Sequence, residues 1–533
     1  MSVAVDDLVP GRILRGSGLP AATDSAGDGV RDDWFDGIDL GAVSAAGLSA
    51  AAGEGCQHAD VRITNTRTAY ETARDDELSG AHATVDRGLA VRVLHQGRWG
   101  FAAVAGVDRD AAELAARRAV AMARLSAPLG SRPVALAPEP AHRGWWASAA
   151  LQDPFDVPAA DRADLLVARS AELLRDRRVS HAEAECWTVR ERVHYADLAG
   201  SFTQQQRIRV AAEWTAIQVG AEGFESMRTL APPAARGWEY LVGPVAPGGG
   251  APGWDFDAEI AAMPELLAEK AAAPSVVPGR YTLLLDPTHL WLTIHESVGH
   301  ATELDRALGY EANYAGTTFA RPEDRGSLSY GSTLMHVTGD RTAPHGLATA
   351  AFDDEGVAAQ SWDIIAEGTL VDFQLDRSMA AEFGRARSNG CAYADSYAHV
   401  PIQRMPNVSL QPAPAGPDLR TLVADVDDGL LLLGDNSWSI DMQRYNFQFS
   451  PQRALRIRDG QIEGQVKDAA YQSTTPDFWH ALAALGGPQT YMLGGALNCG
   501  KGQPGQVAPV SHGCPPARFE DIAVLNSSSE GGP

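Results

Sequence analysis

Lysine is nearly missing from this chain. Lys270, Lys467 and Lys501 are its lysines, among 44 basic residues that are otherwise arginine. The bias reads as a coding preference and carries no function. Acidic residues number 68, and the formal charge is −24. A surface of that sign repels phosphate, which argues against a general nucleic-acid binder or an anionic-membrane binder. Five cysteines (Cys56, Cys186, Cys391, Cys499 and Cys514) are scattered over 533 residues and form no disulfide framework. No apolar run approaches the roughly 18 residues that a membrane helix needs. No basic head followed by an apolar run opens the sequence, so no signal peptide is expected. A reducing cytoplasm is the expected compartment, and it suits a thiolate ligand.

What is present is ordinary for a globular protein: 45% apolar and 21% charged residues. Length alone allows roughly three to four domains, and two large ones fit as well. Residues 1–35 are rich in Gly, Asp, Ser and Ala, and predict a loose extension. From Ala59 the pattern turns to strands, expected at 60–64, 66–73 and 88–95, then a helix over 108–125. A second helix over 161–177 precedes strands at 182–190, 192–196 and 206–218. The run Gly243 to Gly253 is the strongest linker signal in the chain. The expected organisation is therefore an α+β domain over 1–240, a Gly/Pro linker over 241–256, and a second domain over 257–533. The second half opens with a helix over 257–272 and a strand at 279–285. After the motif described next it is mostly β, with strands expected at 333–338, 361–367, 369–375, 407–410, 429–433, 447–449 and 454–458. A short helix is expected over 477–485. Two packed antiparallel sheets or a distorted barrel would suit such a run.

The chemistry concentrates in Trp291 to Arg306. His295, Glu296, His300, Glu303 and Asp305 fall within eleven positions. Neutral imidazoles are good ligands for a borderline-soft cation such as zinc. The carboxylate beside the first His is the right group to take a proton from an activated water. The common zinc-protease spacing places two His four apart on one helix face. Here they are five apart, which in a regular helix rotates the second by roughly 140° from the first. A π-type widening over 295–300 would return both to one face, and Gly299 would ease it. Spacing alone leaves a metal site and two ordinary buried histidines both open.

The string His295-Glu296-x-x-Gly299-His300-x-x-Glu303-x-Asp305 resembles the signature of the TldD/PmbA family of metallopeptidases, on its TldD side. Asn498-Cys499-Gly500-Lys501-x-Gln503 resembles the family's Cys-Gly-Lys segment. Further similar strings are Gly88–Val93 with Arg98–Phe101, Asp353-Asp354-Glu355-Gly356, Gly368-Thr369-Leu370 with Asp376-Arg377, and Arg404-Met405-x-Asn407. The resemblance spans about Ala59 to Arg518. It departs at Gly434-Asp435-Asn436-Ser437-Trp438, where better-known members carry a glycine-rich string.

The resemblance implies His295, His300 and Cys499 as ligands of a zinc ion, with water in the fourth position and Glu296 as general base. His512 and Cys514 compete with Cys499, whose flanks fit the family string better. Glu303 would orient His300 through its other nitrogen, or merely pair with Arg306. Asp305 is a weaker candidate for the same support. No oxyanion donor is evident; Arg404, His336 and Tyr471 are guesses. The implied activity is hydrolysis of short or unfolded peptides, held by strand addition. The implied partner is a metal-free TldE/PmbA-like subunit, or else a second copy of the chain. The same residues would serve a tailoring hydrolase of a peptide natural product. A fourth ligand from His512 or Cys514 would instead suit a non-catalytic protein with structural zinc.

Overall fold

The computed structural model describes residues 8–10, 12, 34–126, 132–220, 223–242 and 254–530. The Gly/Pro stretch 243–253 and most of the expected N-terminal extension lie outside them. Of that extension, Leu8 and Val9 are buried and Arg12 pairs with Asp286, so this part is docked rather than loose. The expectation missed it because three anchoring residues leave no periodicity.

The first half is built on one seven-stranded sheet. Its order is Arg98–Val104, Glu77–His95, His58–Arg74, His181–Asp197, Phe202–Gly220, Arg143–Ala147, with Gly223–Arg228 also on Phe202–Gly220. The pairings are antiparallel except the one to Arg143–Ala147. Strands expected at 60–64 and 66–73 are one strand, as are those at 182–190 and 192–196. The apparent breaks, Asn65 and Glu191, are polar residues that the fold buries. Glu191, for example, takes Arg207 at 3.1 Å and Arg209 at 2.9 Å.

Helix Arg109–Ser126 lies over this sheet and buries Ala112, Ala115, Ala116, Ala119, Val120 and Ala123. That is a helical stripe of small residues, and it permits close approach. A Cβ on Gly100 would stand 1.9 Å from the Ala119 carbonyl oxygen, so glycine there is a packing requirement. Helix Ala159–Leu173 and helix Phe256–Ala272 pack on the sheet's other end, where Trp214 meets the Phe256 ring edge-on at 5.3 Å.

The second half holds a strand ring. Gly279–Leu285 pairs with Asp428–Ile440, which pairs with Asn446–Arg458, which pairs with Ala469–Thr474, which pairs with Ala517–Asn526, which returns to Gly279–Leu285. This is the distorted barrel that the strand-rich sequence suggested. Leu283 and Leu285 face one apolar cluster, and Leu284 faces the other. Leu430 and Leu432 divide from Leu431 and Leu433 in the same way. A strand buried on both faces reads as a continuous leucine run because neither face meets water. The second cluster also contains Trp214 and Phe256, so the two halves share a core.

A four-stranded sheet runs Thr369–Leu370, Ser361–Ala366, Val337–Asp340, Asn407–Leu410. The strand expected at 369–375 pairs over its first two residues only. Beyond them the chain leaves the sheet to run beside the motif loop, with Gln374 N–H on the Thr302 carbonyl at 3.0 Å. The strand expected at 333–338 begins at Val337, after a turn closed by Met335 N–H on Ser332. The helix expected over 477–485 ends at His480, and Leu482–Leu485 joins Ala517–Asn526 as a strand. A hairpin of Met492–Lys501 and Gln506–Cys514 completes the chain's second half. Among the described residues no helix is long and apolar enough to cross a membrane.

Candidate metal centre

Strand Gly279–Leu285 delivers the chain directly into helix Pro287–Ile294. Asp286 caps it, accepting the Thr288 N–H at 2.9 Å, and Pro287 occupies the first helical position. The helix then widens. Residues His295–Gly299 form a π turn, closed by the His300 N–H on the His295 carbonyl, five residues back. A tighter turn, His300–Thr302, follows. The five-residue spacing is thus accommodated as the rotation argument required.

Gly299, however, keeps an ordinary helical backbone (φ −53°). Its lack of a side chain serves packing: a Cβ would lie 2.6 Å from Met405 Sδ and 3.5 Å from His512 Cε1.

His295, His300 and Cys499 converge, each with one ligand-type atom within 4.8 Å of the others'. All three are buried. Cys499 comes from strand Met492–Lys501, whose register on Gln506–Cys514 slips between Ala496 and Cys499. A bulge of that kind re-aims a side chain.

The hydrogen bonds fix which nitrogen of each imidazole remains open. His512 Nδ1 lies 2.8 Å from the Val408 carbonyl oxygen, an acceptor, so it carries the proton. His512 Nε2 is then an acceptor, and His295 Nδ1 donates to it at 2.7 Å. His295 Nε2 is left with its lone pair. His300 Nδ1 donates to Glu303 Oε2 at 2.9 Å, which leaves its Nε2 open, 3.6 Å from Cys499 Sγ. Two oriented imidazoles and a thiol are a donor set that fits a cation of borderline softness.

The electrostatics agree with neutral imidazoles. Burial pushes His300 down to about 3, and His295 well below its usual range, with nearby positive charge acting the same way. Burial raises the Cys499 thiol to about 11 against the opposing pull of Arg404. That arginine is fully buried and donates to the Cys499 carbonyl at 2.6 Å and to its Sγ at 3.4 Å.

Glu296 is buried beside His295. Burial raises its pKa, while the Arg444 guanidinium, with Nη1 at 2.5 Å from Oε2, pulls it down. The Trp438 indole also donates to it. For Glu303, burial opposes ionisation. The Lys501 ammonium at 3.0 Å and the His300 bond outweigh it, and the carboxyl sits well below the usual range. Asp305 does not reach an imidazole. It pairs with Lys501 at 2.8 Å and caps the Arg306 N–H. The structure therefore brings together His295, Glu296, His300, Glu303 and Cys499, with Asp305 one charge further out.

His512 stands behind His295. Cys514 lies on the Pro287 carbonyl, outside the converging group. Of the guessed oxyanion donors, His336 pairs with Asp363 and is half-exposed, and the Tyr471 hydroxyl is shared by His289 and Thr293. Arg404 is committed to Cys499 and Gln506. Sequence reasoning missed Arg444, Trp438 and the supporting parts of Lys501 and His512. For Lys501 a signal existed, since it sits in the Cys-Gly-Lys string and is one of three lysines. Arg444 lies in a turn 148 residues from Glu296 and gives none.

Comparison with known proteins gives the class first. The model of the PmbA/TldA metallopeptidase C-terminal domain matches residues 278–526, and that of PmbA/TldA metallopeptidase domain 1 matches 59–123. A metalloprotease of Methanothermobacter thermautotrophicus is 25% identical over 479 residues, 88% of this chain and 95% of that one. A zinc metalloprotease TldD homolog of Saccharolobus solfataricus is 23% identical over 272 residues, 51% of this chain and 57% of that one. The chain is a metallopeptidase, an enzyme acting on peptide bonds. It belongs to the PmbA/TldD family. Solved structures share its fold, among them the following two. A protein of Bacteroides thetaiotaomicron, described as a candidate modulator of DNA gyrase, superposes with a TM-score of 0.68 at 16% identity, over 91% of this chain and 98% of that one. TldE of Thermococcus kodakarensis does so with 0.64 at 15%, over 90% and 98%.

Proposed function

We propose that the chain is the catalytic, TldD-type member of its family, a zinc peptidase acting on short or unfolded peptides. His295 Nε2, His300 Nε2 and Cys499 Sγ hold the metal, and Glu296 moves the proton. One observation carries this: the π turn brings two helix histidines and a distant cysteine to within 4.8 Å, with each imidazole's other nitrogen already engaged. Thiolate with imidazole is a zinc-selecting set, and three protein ligands leave a position open. A bound divalent cation there supplies Lewis acidity to the scissile carbonyl and lowers the pKa of water.

The chain's own residues do the rest. Glu303 and His512 hold the two imidazoles in the tautomer that presents Nε2. Burial keeps Glu296 basic enough to accept a proton from the attacking water, and it returns that proton to the leaving amine. His512 and Cys514 are otherwise engaged, and among the described residues no fourth protein ligand joins the group. That favours an open, catalytic site over a structural one. The likeness to a TldE structure supports a metal-free, TldE-like subunit as partner.

The test is zinc content and cleavage of an unstructured peptide, by the chain alone and with such a subunit. The wild type is expected to hold about one zinc and to cleave. Glu296→Gln is expected to hold zinc and lose roughly 10³-fold or more in kcat, given the 10²–10⁴-fold typical of general-base catalysis. Zinc binding with no cleavage of any peptide under either pairing would overturn the reading.

A further inference from the structure

The centre described so far lacks a donor for the charge that builds on the carbonyl oxygen during attack. Its cations are nearly all committed. Arg404 serves Cys499, Lys501 serves Glu303 and Asp305, and Arg306 serves the Ala315 and Thr317 carbonyls. Those three are fully buried. Arg444 differs. Its side chain keeps 15% exposure where Arg404 and Arg306 keep 1% or less, and one arm reaches Glu296. Its charge is felt at both His295 and His300. A partly exposed guanidinium beside the general base is where an oxyanion donor belongs.

The backbone has been arranged to put it there. Arg444 lies in the turn between strands Asp428–Ile440 and Asn446–Arg458, at φ +59°. A bulky residue in the left-handed region costs free energy and persists only where the surroundings impose it. They do. Asp441 accepts the N–H groups of Gln443, Tyr445 and Asn446. Thr317 and Phe319 bond the Met442 and Gln443 carbonyls from one side, and Thr475 bonds the Arg444 carbonyl from the other. The turn is clamped on every side, so the guanidinium is presented rather than floating.

We propose that Arg444 is a catalytic residue: its guanidinium donates to the oxygen of the scissile carbonyl as negative charge develops on it. This rests on the peptidase reading above. Water adds its oxygen to the carbonyl carbon, the C=O π pair moves onto the carbonyl oxygen, and one water proton passes to Glu296. Arg444 holds that oxygen while the pair returns, the C–N bond breaks, and the nitrogen takes the proton from Glu296. The second water proton leaves with the new carboxylic acid. The ion pair with Glu296 sets the guanidinium plane, so one side chain aligns the base and stabilises the charge.

The experiment uses the zinc-loaded chain with its partner, an unstructured peptide, and a phosphinic peptide as mimic of the tetrahedral state. Arg444→Ala is expected to lower kcat roughly 10²–10³-fold, as loss of one oxyanion donor does, with KM within a few-fold. Zinc affinity is expected to hold, phosphinic-peptide affinity to fall with kcat, and added guanidinium ion to restore part of the rate. Arg444→Lys, which keeps charge but not the planar fork, is expected to fall between. The decisive comparison is made in the Glu296→Gln background. If Arg444→Ala still weakens the phosphinic peptide there, Arg444 touches the oxyanion. If it no longer does, Arg444 acts only through Glu296 and the proposal is overturned. It is equally overturned if Arg444→Ala cleaves within a few-fold of wild type, which leaves the peptidase reading standing. A wild type that cleaves nothing removes both.

Discussion

At the scale of single residues, the centre is two polarised imidazoles of unequal kind. His300 leans on an ionised carboxylate, and His295 on a neutral imidazole tethered to a backbone carbonyl. A carboxylate partner raises ligand basicity more than an imidazole does, so the two contributions can be separated. Glu303→Gln and His512→Ala are each expected to weaken zinc binding by about 10- to 100-fold, with Glu303→Gln the larger effect. Competition with a chromophoric chelator measures both. Equal affinity in wild type and both variants would show that neither partner orients its imidazole. The contiguous part of this arrangement was legible in the sequence, because His295, Glu296, His300 and Glu303 lie within one run. His512 was legible as a rival ligand but not as the partner of His295, and Arg444 was not legible at all. Their partners are 217 and 148 residues away, and nothing local marks the bond.

At the scale of elements, the spacing of two histidines was enough to anticipate the π turn, since only a widened helix turns both to one face. The terminal hairpin was not anticipated. Gly494, Gly495, Gly500 and Gly513 interrupt the alternation by which a strand is recognised. One of them, Gly494, lies against the motif helix. A Cβ on Gly494 would stand 2.4 Å from Trp291 Cγ and 2.6 Å from its Cβ, atoms that cannot swing aside. Gly494→Ala is therefore expected to push helix and strand apart. The predicted cost is about 1–3 kcal/mol in urea unfolding, the usual penalty of overpacking. Zinc affinity should fall with it, because the helix supplies His295 and His300 and the strand supplies Cys499. Gly500, with no atom within 4 Å of its built Cβ, is the control. Its alanine variant should unfold within about 0.5 kcal/mol of wild type. The long strands were legible in pieces. Asn446–Arg458 was read as two because Pro451 looks like a stop. In the fold Pro451 sits opposite Asp435 at a bulge, where proline is tolerated.

At the scale of the whole molecule, the two halves are joined by a shared apolar cluster and by buried ion pairs. Arg62 meets Asp354, and Arg92 meets Asp60 and Glu355. Removing one partner of such a pair strands a charge, so these residues define alignment more than net stability. The helix Phe256–Ala272, between the halves, carries a carboxylate of the opposite character. Glu259 is buried and raised to about 7 by burial, against hydrogen bonds from Leu230 and Trp254. A carboxyl whose folded pKa exceeds its unfolded value favours the folded state while protonated. That advantage is full below the unfolded pKa of 4.5, shrinks as pH rises through about 7, and is gone above. The loss is about 3 kcal/mol from this group. Glu259→Gln is expected to flatten the fall in unfolding free energy between pH 5 and 8. An unchanged slope would assign that pH dependence elsewhere. The two-part layout, with helices on a sheet first and a strand-rich part after, was readable from periodicity. The shared core was not, because a strand buried on both faces shows only that it is buried.

The separation of the centre's parts along the chain has a consequence for biosynthesis. With His295 and Cys499 as ligands, a growing polypeptide carries its histidines and Glu296 long before the cysteine is made. At about 5–20 residues per second the interval is roughly 10–40 s. Through that time the nascent chain lacks Cys499, the third member of the converging group. A peptidase assembled in this order cannot turn on its own unfolded segments, or on neighbouring chains at the ribosome, until Cys499 has been translated.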